Sequence, residues 1–431
     1  MKIKVLFFLI ILFTTAEAQK ALTVEDVVNI ALKNNYNILV ARNDAEIAKV
    51  NNTLGNAGML PTVQLNGGGG YANNHAYQKS GTTGIESHYS NQNATSLNAN
   101  AELSWTLFDG GKMFVTKNKL NEIQSLGEIQ FQSKVMETLY NVIGAYYNVV
   151  QQKQQLKSFN EVINYNRERV KIAETGYNAG SLIKTDLLQS KIDLNVATEN
   201  AINQQYVIEA AKKNLNNLLA QPENMALEVT DTIPLTYTPN KAELMQKLNS
   251  SNTSILAFQK QMLIAQLTMK ETQRDYSPLV NLKGGYYLSK TINSQGATLA
   301  TSSYGPGVSG TIAIPIYNGG ETKRKIANAK LEMQSVEYNL DNTKLQVNTD
   351  LQNTLTDFEN QQQLLKIEKE NNSLAKENLE ISLYRLRLGQ TTALEVHLAQ
   401  ENYVQSCTRL TSFEYNLKLA ETRLKQLVAG L

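Results

Sequence analysis

Few side chains in this chain could carry catalysis or bind a metal. Its 431 residues include one cysteine, Cys407, and three histidines, His75, His88 and His397. One thiol excludes an internal disulfide framework and any cysteine-based zinc cluster. Three scattered histidines leave almost no room for a histidine-rich metal site. His75 and His88 fall in a polar stretch and read as solvated loop surface. His397 lies beside an apolar heptad seam and reads as packed, and Cys407 shares a seam with Tyr403 and Leu410, where it serves as a small apolar side chain. There is no Walker loop, no G-x-G-x-x-G between a strand and a helix, and no H-E-x-x-H. The glycine run Gly67–Gly70 follows a strand pattern but leads into a polar stretch, so it supplies small residues to a strand wall. Carboxylates and hydroxyls are plentiful, but no pair is singled out by spacing. The residues predict no enzyme, no metal site and no cofactor.

The charge balance removes another class. Lysine and arginine total 41 against 39 acidic residues, and a surface that tracks a nucleic-acid backbone needs a basic excess. No nucleic-acid partner is expected. The first residues combine a basic Met1-Lys-Ile-Lys4, an apolar run Val5 to Phe13, and small residues at Ala16 and Ala18. That pattern predicts a secretory signal peptide over residues 1–18. It is too short for a transmembrane helix, which takes roughly 20 apolar residues. No cysteine follows Ala18, so no lipid anchor is expected there. No other stretch reaches transmembrane-helix length. If the exported chain spans a membrane it must do so with strands, which also satisfy the backbone in lipid.

Self-comparison gives the organisation. Trp105-Thr-Leu-Phe-Asp-Gly-Gly-Lys112 reappears as Ile314-Pro-Ile-Tyr-Asn-Gly-Gly-Glu321. Met59-Leu-Pro-Thr-Val-Gln-Leu-Asn-Gly-Gly68 reappears as Tyr276-Ser-Pro-Leu-Val-Asn-Leu-Lys-Gly-Gly285. The segment from Gly180 to Leu188 aligns with that from Gly389 to His397. Three ordered matches indicate one internal duplication of roughly 210 residues. The expected division is a first repeat over 19–220, a proline-containing linker over 221–240, and a second repeat over 241–431. Each repeat reads helix, strand, polar loop, strand, long helix, glycine turn, helix. The first repeat gives helices over Val24–Ala57, Lys112–Thr175 and Leu182–Ala220, with strands near Thr62–Ala72 and Thr95–Phe108. The second gives helices over Lys241–Arg274, Glu321–Leu388 and Thr392–Ala429, with strands near Leu279–Ser289 and Val308–Tyr317.

The strands alternate. Leu97, Ala99, Ala101, Leu103, Trp105 and Leu107 oppose Asn98, Asn100, Glu102, Ser104 and Thr106. Val308, Gly310, Ile312, Ile314 and Ile316 oppose Ser309, Thr311 and Ala313. Strands of about ten residues with one apolar and one polar face fit a transmembrane barrel with a watery lumen, and an ordinary half-buried sheet shows the same alternation. On the barrel reading Asn98, Asn100, Glu102 and Thr311 face the lumen. Four strands cannot close a barrel, for which about eight is the practical minimum, so several chains must share one. The stretches Asn73–Ala94 and Lys290–Ser303 are polar and read as external loops.

The two proline-free long helices, each of about 65 residues, come to roughly 100 Å at 1.5 Å per residue. Val135, Leu139, Val142, Tyr146, Val149, Leu156, Ile163 and Val170 follow heptad spacing, and Met136, Ile143, Tyr147 and Val150 make a second seam. Two seams imply two helical neighbours, as in a ring of helices, although a bundle with one wide core face fits too. An opening and a closing helix together match the length of one long helix and can stack antiparallel to it. The glycine turns at Gly180 and Gly389 then lie at the end remote from the strands. Ser181, Gln390, Thr391 and Thr392 follow them with side chains suited to helix starts and an exposed docking surface.

Leu107-Phe-Asp-Gly-Gly-Lys112 and its copy Ile316-Tyr-Asn-Gly-Gly-Glu321, the Leu60-Pro61 and Ser277-Pro278 strand starts, and Tyr384-Arg-Leu-Arg-Leu-Gly389 with Leu394-Glu395 carry a resemblance. Across essentially the whole exported chain, the sequence resembles the TolC-like outer membrane efflux protein family. The resemblance implies an α+β membrane protein: a long α-helical barrel, or coiled-coil tunnel, joined to a transmembrane β-barrel shared by a trimer. Each chain would give four of twelve strands. It implies the exit duct of a tripartite pump or type I secretion system, in outer membrane lipid, with a periplasmic tunnel. The partners would be a periplasmic adaptor at the helical tips and an inner-membrane RND or ABC-type transporter. Members narrow the periplasmic end with acidic residues after the second glycine turn. Glu395 matches the first such position, Leu398 stands where a second acid is expected, and Asp186 is the equivalent of Glu395 in the first repeat. A solvated helix face or a helix-dipole position explains both carboxylates as well. The competing readings are a periplasmic coiled-coil scaffold without transport activity, and an enzyme with a helical lid, which lacks a catalytic constellation.

Overall fold

The computed structural model describes residues 21–296 and 298–431. The expected signal peptide, residues 1–18, lies outside them. The described chain holds eight α-helices and four strands, in two copies of one order. The first copy runs α1 (Val24–Asn34), α2 (Tyr36–Val50), β1 (Thr62–Lys79), β2 (Glu86–Phe108), α3 (Lys112–Asn178) and α4 (Lys184–Leu218). The second runs α5 (Lys241–Ser251), α6 (Thr253–Gln273), β3 (Leu279–Asn293), β4 (Ala300–Ala313), α7 (Glu321–Arg387) and α8 (Ala393–Leu427). The repeat offset is 217 residues before the hairpins (Met59 to Tyr276) and 209 after them (Trp105 to Ile314), so the second hairpin is eight residues shorter.

The chain divides into two compact units. One takes residues up to Ala41, then Gln132–Asn252 and Leu345–Leu431; the other takes Arg42–Phe131 and Thr253–Lys344. In the second unit the strands form one antiparallel sheet in the order β1-β2-β3-β4. β1 and β4 are its edges. Lys119 of α3 pairs with Glu271 of α6, Lys260 of α6 reaches Glu122 of α3 at 2.7 Å, and Asn52 hydrogen-bonds Asn121 and Gln124 of α3. α3 therefore runs beside α6 and beside the segment that follows α2.

In the first unit, α3 meets both closing helices. Gln204 of α4 donates to Gln152, and Gln155 of α3 donates to Thr408 of α8 at 3.0 Å. On α3, Leu139, Val142, Tyr146, Val149 and Ile163 are buried along one seam, and Tyr147 and Val150 along the other. α8 in turn meets α7, where Arg409 grips Glu368 with two bonds of 3.0 and 3.1 Å. α8 also reaches α4, through His397 and Asp193, and α7 reaches α3, where Arg387 pairs with Glu168. The outer margins stay bare: Ile367, Leu374, Ile381 and Leu388, seven apart along α7 and into its turn, are half exposed or more, and so are Leu188, Ile192 and Tyr206 on α4.

Four details depart from the sequence reading. The first opening helix, expected to reach Ala57, stops at Val50, and a run of turns carries the chain to β1. The strands are longer, so most of Asn73–Ala94 and of Lys290–Ser303 is ladder: β1 ends at Lys79 and β2 starts at Glu86, and β3 ends at Asn293 and β4 starts at Ala300. The polarity of those stretches marks strands that carry polar side chains on both faces while the backbone ladder holds them, and His75 and His88 accordingly lie exposed on strands. β4 stops at Ala313 instead of Tyr317, because Pro315 has no N–H for the ladder. Each opening helix, read as continuous, is broken by an asparagine in extended conformation, Asn35 (φ −61°, ψ 124°) and Asn252 (φ −64°, ψ 118°). The Asn35 side-chain oxygen accepts from the backbone N–H of Asn37 and Ile38, so it ends α1 and starts α2.

Candidate pore lining and tip turns

The ladder fixes which side chains share a face. Thr106 pairs with Asn281 and Asn281 with Thr311; Asn100 pairs with Tyr287, and Asn98 with Ser289. Asn98, Asn100, Glu102 and Thr311, expected on one polar face, are brought together there. Ser289 donates to Asn98 at 2.9 Å and Thr106 to Asn281 at 3.0 Å, so polar cross-strand pairs knit that face. The opposite face carries Val63, Leu65, Leu97, Leu103, Trp105, Leu282, Tyr286, Leu288, Val308 and Ile312. Leu65, Val308 and Ile312 are more than two-thirds exposed, so among the described residues nothing covers them.

The glycine turns close both long helices in one way. Gly180 (φ 73°) and Gly389 (φ 67°) sit in the left-handed region that a helix-ending residue takes. Ser181 N–H donates to Gly176 O at 2.8 Å, and Gln390 N–H donates to Arg385 O at 2.9 Å. The next helix then starts at once, with Thr392 Oγ1 accepting from Glu395 N–H. Gly180, Ser181, Gly389, Gln390 and Thr392 are exposed, and Thr391 is half-buried.

Glu395 is not a free carboxylate. Arg385 donates to its Oε1 at 2.9 Å, and Thr391 Oγ1 bonds its Oε2. Arg385 also donates to Gln390 O, so one guanidinium ties the end of α7 to the start of α8. Asp186 lies half-buried in the first turn of α4, without an ion pair or side-chain hydrogen bond among the described residues. Arg385 was not singled out by the sequence reading, though it lies four residues before Gly389 within the quoted motif.

A second polar group also went unread. Arg169 of α3, almost wholly buried, pairs with Asp193 of α4, and Gln189 donates to the other Asp193 oxygen at 2.8 Å. His397 of α8, expected to be packed, is half-buried instead, with Nδ1 3.3 Å from Asp193 and Nε2 3.4 Å from Glu401. Cys407 is buried, as a seam position requires, and Asn372 donates to its Sγ at 3.2 Å. Tyr403 donates to Glu161 at 2.7 Å; burial, with that carboxylate as acceptor, pushes its hydroxyl above the ordinary tyrosine range.

The sequence profile of the outer membrane efflux proteins matches residues 27–221 and 244–430, both repeats. The chain belongs to the outer membrane efflux protein family. Among relatives, the proteases secretion protein PrtF of Dickeya chrysanthemi is 19% identical over 96% of this chain and 90% of its own length. The outer membrane efflux protein BepC of Brucella suis is 22% identical over 81% of this chain and 72% of its own. Solved structures share the fold: the outer membrane protein VceC of Vibrio cholerae has a TM-score of 0.75 at 15% identity, covering 94% of this chain and 96% of that one. The CmeC outer membrane channel of Campylobacter jejuni has a TM-score of 0.75 at 17% identity, covering 94% and 85%. An efflux family protein with this fold is an outer membrane export channel. The long helices and the four-stranded sheet are the parts of the chain that share this fold.

Proposed function

We propose that three copies of this chain close one duct, with twelve strands in the outer membrane and a helical tunnel in the periplasm. Its tip turns receive a periplasmic adaptor, and an inner-membrane RND or ABC-type transporter feeds it. The observation that carries this reading is the pair of open margins. Among the described residues the sheet ends in β1 and β4, each with one edge unpaired, and the helical layer ends in bare apolar stripes on α4 and α7. Unpaired strand edges in lipid cost several kcal/mol per backbone group, so the sheet must continue into another copy. At the helical margin, α7 of one copy against α4 of the next would continue the heptad spacing of the α7 stripe. Two copies would give eight strands, whose interior side chains fill; three leave a lumen for water.

The polar face is then the lumen and the apolar face meets lipid. Residues 19–220 and 241–431 act as two quasi-equivalent sixths of the tube. Gly180 with Ser181, and Gly389 with Gln390, Thr391 and Thr392, present the docking surface. Glu395 and Asp186 carry charge at the narrow end. The relatives' names cover both protease secretion and efflux, and a water-filled duct suits either cargo. Planar-bilayer recording of the purified protein tests the duct: discrete ionic conductance is expected, and membranes left sealed by correctly folded protein would contradict it.

A further inference from the structure

Resting on the lumen reading of the polar face, the geometry points to Glu102 and Lys283 as the pair that sets the charge of the barrel wall. Between the Thr106–Asn281–Thr311 row and the Ser96–Thr291–Thr301 row, every other position on that face is Asn, Gln, Ser, Thr, Tyr or Gly. The one anion and the one cation are bonded to each other, Lys283 Nζ lying 3.2 Å from Glu102 Oε1. Tyr287 donates to the second carboxylate oxygen, also at 3.2 Å.

The backbone is shaped for this. Glu102 faces Gly285 across the ladder, and Lys283 faces Ser104, so the charged pair is a diagonal one that long side chains can bridge. Gly285 is flanked on β4 by Gly307. A Cβ on Gly285 would meet Ala101 O at 2.5 Å and the Tyr287 ring at 3.3 Å, and one on Gly307 would meet that ring at 3.1 Å. Two glycines thus clear the ground on which the Tyr287 ring lies, and its hydroxyl reaches Glu102. The result is a compensated charge at one height of the wall, repeated in every copy. A passing ion meets a set of dipoles there, and the wall favours neither sign. Removing one partner leaves its counterpart as a like-charged ring.

The test is local, so that the narrow periplasmic end cannot hide the answer. Asn100→Cys, in a Cys407→Ser background, places a thiol about 7 Å along the strand from Glu102, within a Debye length at physiological salt. Its reaction rates with a cationic and an anionic methanethiosulfonate are compared in outer-membrane vesicles. Adding Glu102→Gln should raise the anionic-to-cationic rate ratio about threefold at low salt. Adding Lys283→Gln should lower it by a similar factor, and the double variant should restore it. Labelling by both reagents with a ratio that neither single variant moves would overturn the assignment while leaving the lumen intact. No labelling by either reagent would overturn the lumen reading and the pair with it.

Discussion

Asn35 and Asn252 stand 217 residues apart and make the same long-range bond. Asn35 Nδ2 donates to Leu218 O, the last residue of α4, at 2.6 Å, and Asn252 Nδ2 donates to Leu427 O, the last residue of α8, at 2.8 Å. In each repeat the break in the opening helix is thus tied to the end of the closing helix. The left-handed Ala220 and Ala429 follow those ends at matching positions.

Replacing Asn35 or Asn252 by Ala removes the amide donor and leaves a helix-end carbonyl without it. A loss of about 1–3 kcal/mol is expected for each. Asn35→Asp keeps the acceptor that starts α2 and should lose only part of this. Denaturant unfolding of the detergent-extracted protein reads the difference, and an unchanged midpoint in Asn252→Ala would contradict the role.

The duplication was legible because Gly-Gly and proline signals mark places where the backbone has few options. The asparagine breaks were not. Asn35 lies in an apolar helical pattern that runs past it, and its effect depends on a carbonyl 183 residues away. The long strands were missed for a related reason, since a ladder is held by backbone bonds that side-chain polarity does not report. Glu395 drew notice through the resemblance, by its place after the second glycine turn, whereas its Arg385 partner required the fold of that turn.

At Gly389 no heavy atom lies within 4 Å of an added Cβ, so the cost of substitution is conformational. An L-residue held left-handed costs about 1–2 kcal/mol, which a long helical layer tolerates. Gly389→Trp should therefore leave the assembly in the outer membrane but abolish export and adaptor crosslinking. Undiminished crosslinking would place the docking surface elsewhere.

Glu395→Ala frees Arg385 from its partner across the turn. Both side chains are about half exposed, so stability should fall by no more than about 1 kcal/mol. Docking should persist, while conductance or cation block in planar bilayers should change. Identical conductance and cation sensitivity would remove Glu395 from the narrow end of the duct.

The two sheet faces should respond oppositely to charge. Leu103→Arg or Ile312→Arg should impair insertion, at a cost of about 2–4 kcal/mol near the bilayer midplane. Asn100→Arg or Thr311→Arg, on the polar face, should insert normally. Equal tolerance on both faces, scored as protein recovered in outer membrane, would favour a sheet in water.

One chain holds four strands, only part of a barrel, and on the reading proposed above three copies complete it. Native mass measurement of the detergent-extracted protein tests this most directly. An assembly of three processed chains that persists until the helices unfold is expected; a folded single chain with a closed barrel, or a soluble periplasmic monomer, would rule the shared barrel out.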